Sequence, residues 1–306
     1  MTEPHVPHLI ATRALDWLDQ HRERFRPRLG PTPDLQVKER LKPLGELAVT
    51  SRILLREGVA GSRTARRTRA LLDFAWQEAL DGGDLLVWMC ADEPFSPIPL
   101  EVYALFHEVG YRHPGVERHA RLVCRTTSWQ AVEAVPNRRL GLTRTEARLG
   151  LPAGMDTAVA AGRTWLGQLP EPWTAEYHHA YAITHTVFHL TDWGENLAAL
   201  PEDIADYLAR WLPAWIDEWA ELQHWDLLGE LLVVDACLPD PALDPAVWAR
   251  YAAAQGPDGA MPVDHTVPTG DPDDVFDLVH HSTMVAVLAS TMATSRVLTA
   301  LSHATP

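Results

Sequence analysis

Residues 225–237 read WDLLGELLVVDAC, a run in which leucine and valine occupy every side of any helix drawn through it. Apolar residues all the way round assign a helix to the interior rather than to the surface. Asp226 and Glu230 nevertheless sit in that run at i, i+4 spacing, one above the other on a single stripe, with Cys237 two turns further along. A carboxylate taken out of water must find a cation, a metal or a proton. The stretch therefore predicts a protein built round buried helices, at least one of which carries groups in need of a partner.

The same grammar recurs on both sides of it. A polar-faced helix, a loop holding Pro or Gly, and a more apolar helix opening with His or Asp occur at 154–168 then 176–193, at 202–221 then 225–237, and at 244–255 then 275–294. His185 lies 41 residues before Asp226, and Asp226 lies 55 before His281, the excess falling in the loop from Gly256 to Asp274. A period of this size belongs to stacked or circularly arranged helix pairs, because one pair cannot bury its own apolar face. In the first half the periodicity predicts helices near 8–25, 36–57, 64–80, 99–111 and 115–133. Leu85–Met89 is the one strand candidate, and the Asp81-Gly82-Gly83-Asp84 segment before it reads equally as a helix-to-helix turn. The expected class is all-α, with residues 1–306 as one domain.

Composition narrows the function. With 306 residues, 46% of them hydrophobic, the chain can fill a sizeable core. Cys90, Cys124 and Cys237 form an odd set without C-x-x-C spacing, so neither a disulfide framework nor a thiolate zinc site is expected and a reducing cytoplasm fits. Neither a signal segment nor a run of 18 uncharged apolar residues is read in the chain, so export and membrane spanning are not expected. The net charge of −15 is unevenly spread: residues 1–150 hold 22 Lys+Arg against 19 Asp+Glu, and residues 151–306 hold 4 against 22. An acidic half repels phosphate backbones, which argues against a nucleic-acid partner. The basic cluster Arg63, Arg66, Arg67 and Arg69 reads as a solvated helix face. No phosphate loop, nucleophile elbow or dinucleotide fingerprint is found.

Gln255-Gly256-Pro257-Asp258-Gly259 resembles the Q-x-x-D-G turn joining outer to inner helices in the α/α-toroid superfamily of terpenoid cyclases, protein prenyltransferases and lanthionine cyclases. The resemblance implies an α/α-toroid of about five to six helix pairs, with an α-solenoid as the rival. The first and last helices pack together in a toroid and lie apart in a solenoid. Two departures stand out. Ala260-Met261 replaces the aromatic residue that follows the glycine in terpenoid cyclases, and Asp271-Pro272-Asp273-Asp274 carries the letters of their acid motif in a Pro-Gly loop instead. The segments 184–194, 225–232 and 281–286 also resemble those of an actinobacterial family of similar length, which implies no activity.

Candidate chemistry gathers on the inner helices. His178, Ala182, His185, His189 and Asp192 share one face of 176–193 by the i, i+3, i+4 rule, and Asp277 and His281 are four apart on the last helix. Aligning the three repeats on their apolar runs puts His185, Asp226 and His281 at matching heights, to converge at one rim of a toroid. Two imidazoles and a carboxylate suit Zn or Fe, and zinc-bearing members of the superfamily draw their ligands from this rim, although they use a cysteine there. His189, Glu230, Asp192 and Asp277 complete the expected cavity lining, with Glu230 or His189 as general base. Against this stands the plain alternative of hydrogen-bonded core histidines. The E-x-x-H pairs Glu176/His179 and Glu221/His224 match a di-iron spacing but fall at helix ends. Trp211, Trp215 and Trp219 read as packing between outer and inner helices. The functional expectation is a small-molecule or peptide-tailoring enzyme of specialised metabolism, with a central His/carboxylate site for Zn or Fe. A metal-free acid–base cyclase or lyase and a non-catalytic peptide-binding scaffold are the alternatives.

Overall fold

A computed structural model describes residues 5–27, 36–59, 61–131 and 134–304. Those residues form α-helices and short 3-10 or π turns, with no strand among them. In chain order the helices are α1 (His5–Gln20), α2 (Gln36–Glu57), α3 (Gly61–Phe74), α4 (Asp84–Asp92), α5 (Ile98–Glu108), α6 (Pro114–Val123), α7 (Thr127–Gln130), α8 (Pro136–Arg148), α9 (Thr157–Ala161), α10 (Tyr177–Thr191), α11 (Glu202–Glu221), α12 (Trp225–Ala236), α13 (Pro245–Ala254) and α14 (Pro272–Ala304).

The starts are written in side chains. Asp156, Thr126 and Asp244 each accept a hydrogen bond from a backbone N–H of the first turn of α9, α7 and α13. Proline opens α6, α8 and α13, where its missing N–H costs nothing. The Asp271–Asp274 segment is a further cap: Asp271 Oδ1 accepts from Asp273 N at 2.8 Å and so opens α14.

α2 packs on α5, α5 on α8, α8 on α10, α10 on α12, α12 on α14, and α14 on α2. α1 runs along α14 and also touches α13 and α3, while α11 and α13 lie against α12. One contiguous core joins these elements from Ile10 to Ala293. Every residue of α12 is buried, as its all-round apolar pattern requires. Gly229 allows its closest approach to its neighbours, since a Cβ there would lie 2.3 Å from Tyr251 Oη and 2.7 Å from Val285 Cγ1. Trp215 and Trp219 are buried on the inward face of α11, in the packing role expected of that stripe. On α3, Arg63, Arg66 and Arg69 are exposed, and Arg67 pairs with Asp16 and Asp19 of α1.

The Gln255–Gly259 turn ties the connection between α13 and α14 to α1. Gln255 Nε2 donates to Ile10 O (3.1 Å) and Gly259 O (2.9 Å), Arg13 donates to Gly256 O (2.7 Å), and Trp17 Nε1 donates to Asp258 Oδ2 (3.2 Å). Gly259 has φ +103°, and a Cβ on it would stand 2.3 Å from Arg13 O, so only glycine lets the turn close on α1.

Several boundaries differ from the sequence reading. Leu85–Met89 lies within α4: left-handed Gly82 and Gly83 turn the chain, and Leu86, Met89 and Cys90 are then buried at helical spacing. The expected helix 115–133 divides into α6 and α7, and its last two residues lie outside the described ones. The expected 154–168 helix shortens to α9 and a 3-10 turn at Leu166–Gln168. α8 had no counterpart in the reading. Part of α14, Pro272–Ser302, is long and apolar enough to cross a membrane by length and composition, but 67% of its most apolar window is buried inside the protein.

Candidate functional site

α2, α5, α8, α10, α12 and α14 enclose a cavity of about 500 Å³. Val49, Leu105, Phe188, Trp193, Met284 and Leu288 give it a largely apolar wall. Besides Lys42, Thr50, Thr145, Arg148 and His189, its polar lining forms two clusters. Arg138 and Glu101, 2.6 Å apart, pair on the wall formed by α5 and α8. Across the cavity the wall is made by Glu46, Tyr181, His185, Glu230 and His281.

That second group is centred on the His281 ring. Nδ1 lies 3.0 Å from Glu46 Oε1, while Nε2 lies 3.3 Å from Glu230 Oε1 and 3.6 Å from Asp226 Oδ1. The remaining oxygens of the two α12 carboxylates are held by hydroxyls of α10: Tyr181 donates to Asp226 Oδ2 at 2.5 Å, and Thr184 donates to Glu230 Oε2. His185 Nε2 stands 3.8 Å from Glu230 Oε2, and 43% of its side chain is exposed, so it is the member of the group most open to a ligand. Asp226 Oδ1 is buried and accepts no hydrogen bond.

The electrostatics follow from this crowding. Burial raises Asp226 above the ordinary carboxylate range, a push that His281 opposes and Glu230 reinforces. Burial pushes Glu230 and Glu46 the same way, but their imidazole contacts, joined at Glu46 by Lys42, outweigh it and hold both low. Burial would lower His281; Glu46, Asp226 and Glu230 together reverse that and raise it well above the ordinary value, so the ring is an imidazolium at neutral pH. Tyr181, raised by burial and by Asp226, stays neutral.

Of the residues singled out in the sequence, His185, Asp226, Glu230 and His281 are brought together. His189 also lines the cavity, but in a different setting: burial, then His185 and the nearby arginines 138, 148 and 144, lower it well below the ordinary imidazole range, leaving a neutral ring against Gly141. Asp192 does not line the cavity. α10 ends at Thr191, and Asp192 takes a left-handed conformation (φ +50°) that breaks the helical stripe and pairs its carboxylate with Arg52 and Arg148. Asp277 is exposed: Phe276 packs against Trp17 and Phe25 there, and the other side of this first part of α14 faces solvent, as the exposure of neighbouring Leu278 shows. Glu176 and Glu221 are likewise exposed at helix ends. Cys237 lies beside Thr191, near Arg56 rather than in the carboxylate group. Glu46 is the member the sequence reading missed, and its i, i+4 spacing from Lys42 looks like an ordinary surface pair. Its only sequence signal was a place within the predicted helix 36–57.

The chain matches the family described as Domain of unknown function (DUF6895) over residues 11–291. No curated protein and no solved structure matches it.

Proposed function

We propose that this chain, a member of the DUF6895 family, is an enzyme that acts on a largely apolar small molecule or peptide side chain held in the cavity of an α/α-toroid. The toroid reading is supported over a solenoid by the cyclic order of contacts among α2, α5, α8, α10, α12 and α14, and by the packing of α1 on α14. The observation that carries the functional reading is the convergence of Asp226, Glu230 and Glu46 on one imidazole beside a largely apolar cavity. Packing alone does not favour three carboxylates there, and strained ionisation in a pocket is the signature of sites that handle protons or charge.

The residues divide the work. His185, open to the cavity and backed by Glu230, accepts a proton from the substrate, and the carboxylate stabilises the resulting imidazolium. The positive centre held by Asp226, Glu230 and Glu46 stabilises negative charge developing on the substrate. Eliminations, cyclisations and isomerisations that begin by proton abstraction use this pairing of base and cationic centre. The apolar wall excludes water and strengthens both effects.

The test is untargeted mass spectrometry of small-molecule extracts incubated with purified protein. Wild type is expected to convert at least one apolar compound, and His185→Asn to slow that conversion about 100-fold or more while keeping its melting temperature. Recovery of a bound compound that wild type never alters would replace the enzyme with a binding scaffold.

A further inference from the structure

We propose that Asp226 Oδ1, Glu230 Oε1 and His281 Nε2 bind one divalent transition metal, Zn(II) or Fe(II), and that this ion is the positive centre of the working protein. The inference rests on the reading of this wall as the reacting centre, but its test does not depend on turnover.

Geometry is the first support. The three ligand atoms lie within 4.8 Å of one another, and Nε2 is 3.3 and 3.6 Å from the two carboxylate oxygens. Ligands about 2 Å from a tetrahedral zinc stand roughly 3.3 Å apart, close to the two edges that meet at Nε2. Charge is the second. Three carboxylates meet imidazoles and, at Glu46 alone, Lys42 at 3.5 Å. The other acidic trio among the described residues, Glu108, Asp192 and Glu195, is interleaved with Arg52, Arg56 and Arg148, whose guanidiniums already occupy its carboxylates.

The third support is independent of both. Asp226 is 4% exposed, and its Oδ1, aimed at His281 Nε2, has no hydrogen-bond partner. A buried carboxylate oxygen left unpaired is costly, and a metal satisfies it. The surroundings are those of a ligand set. Tyr181 holds the second oxygen of Asp226, Thr184 that of Glu230, and Glu46 Oε1 stands 3.0 Å from Nδ1 of His281, where its charge favours a proton on the nitrogen away from the ion. An imidazole with carboxylates matches Zn(II) or Fe(II) rather than Mg(II), which prefers oxygen alone. On binding, the Nε2 proton leaves to solvent. His185 is assigned no ligand role and keeps its place as base.

Full-length protein stripped with chelator is titrated with Zn(II), and with Fe(II) without oxygen, by calorimetry and thermal melting. About one equivalent should bind, and the melting temperature should rise with free metal. His281→Gln and Asp226→Asn should each lose at least about 100-fold in affinity, and Glu46→Gln about 10- to 100-fold. His185→Asn should stay within about threefold of wild type. Circular dichroism of the metal-free variants separates lost binding from lost folding, and Co(II) absorption of wild type should show a nitrogen–oxygen site without thiolate charge transfer. No binding by folded wild type, unchanged affinity in Asp226→Asn, or loss of metal in His185→Asn would overturn this ligand set. Metal bound without turnover would defeat the enzyme reading alone, and turnover without metal would defeat only the metal.

Discussion

Two acidic trios among the described residues are neutralised by opposite means, one where α5 and α10 end and the other on α2 and α12. Glu108, Asp192 and Glu195 are interleaved with arginines: Arg52 Nε is 2.9 Å from Glu108, its terminal nitrogens reach Asp192 and Glu195, and Arg148 bridges Glu108 and Asp192. Glu46, Asp226 and Glu230 surround an imidazole. A guanidinium stays charged at any working pH and ties α2, α5 and α8 to the end of α10. An imidazole can give up its proton to a base or its place to a metal. On the proposed reading, the difference separates charge used as a fastener from charge kept available for chemistry.

The largest effect should follow from breaking the fastener. Arg52 has only 6% of its side chain exposed, and Arg52→Ala would leave carboxylates from two directions without their central cation. Removing one partner of a fully buried pair costs about 3–5 kcal/mol, and the solvent contact kept by Glu108, Asp192 and Glu195 lowers the expectation here to about 2–3 kcal/mol. Urea unfolding at neutral pH measures it. A loss below about 0.5 kcal/mol would mean that the network is ornamental and that the contrast fails.

How much of this was legible in the sequence depended on whether a group's cost showed within its own helix. Asp226 and Glu230 were visible because α12 is apolar on all sides, so any carboxylate in it stands out. His281 was visible for a similar reason, just ahead of the apolar run Met284–Leu288. Glu46 was not, because its partner is on α14 and its neighbour Lys42 supplies a plausible surface pair. α8 was hidden by its arginines: Arg139 is buried donating to Gln130 O, and Arg144 donates to the carbonyls at the end of α10, contacts that no local pattern announces. Asp192 was misplaced because the stripe was extended one residue past the point where the helix ends.

A smaller effect, of opposite sign, should come from the second trio. In chelator-treated protein Asp226→Asn removes a buried charge while the side-chain amide oxygen still accepts from Tyr181, so stability should rise by about 1 kcal/mol. Asp192→Asn, which deprives Arg52 and Arg148 of a partner, should lose about 1–2 kcal/mol instead. Paired urea melts decide it. Two losses of equal size would show that both trios are structural.

The smallest effect should be at Cys237, and its smallness is informative. A thiolate would be a natural metal ligand, and this thiol lies on the same helix stripe as Asp226 and Glu230. Burial, however, pushes it up to about 12, against small opposing pulls from Thr191, Arg56 and Arg296, and its neighbours belong to the arginine side of the molecule. At pH 8 such a group is thiolate in about one molecule in ten thousand, so the native protein should leave Cys237 unmodified by a disulfide reagent over an hour. Cys90 and Cys124, also pushed up to about 12 by burial, should behave alike, and all three thiols of the chain should react once it is unfolded. Correspondingly, Cys237→Ala should change Zn(II) affinity by less than about threefold, because the metal site proposed at the second trio uses only oxygens and one nitrogen. A native thiol that reacts within minutes and is protected by added Zn(II) would move the metal toward the arginine side and erase the division between the two clusters.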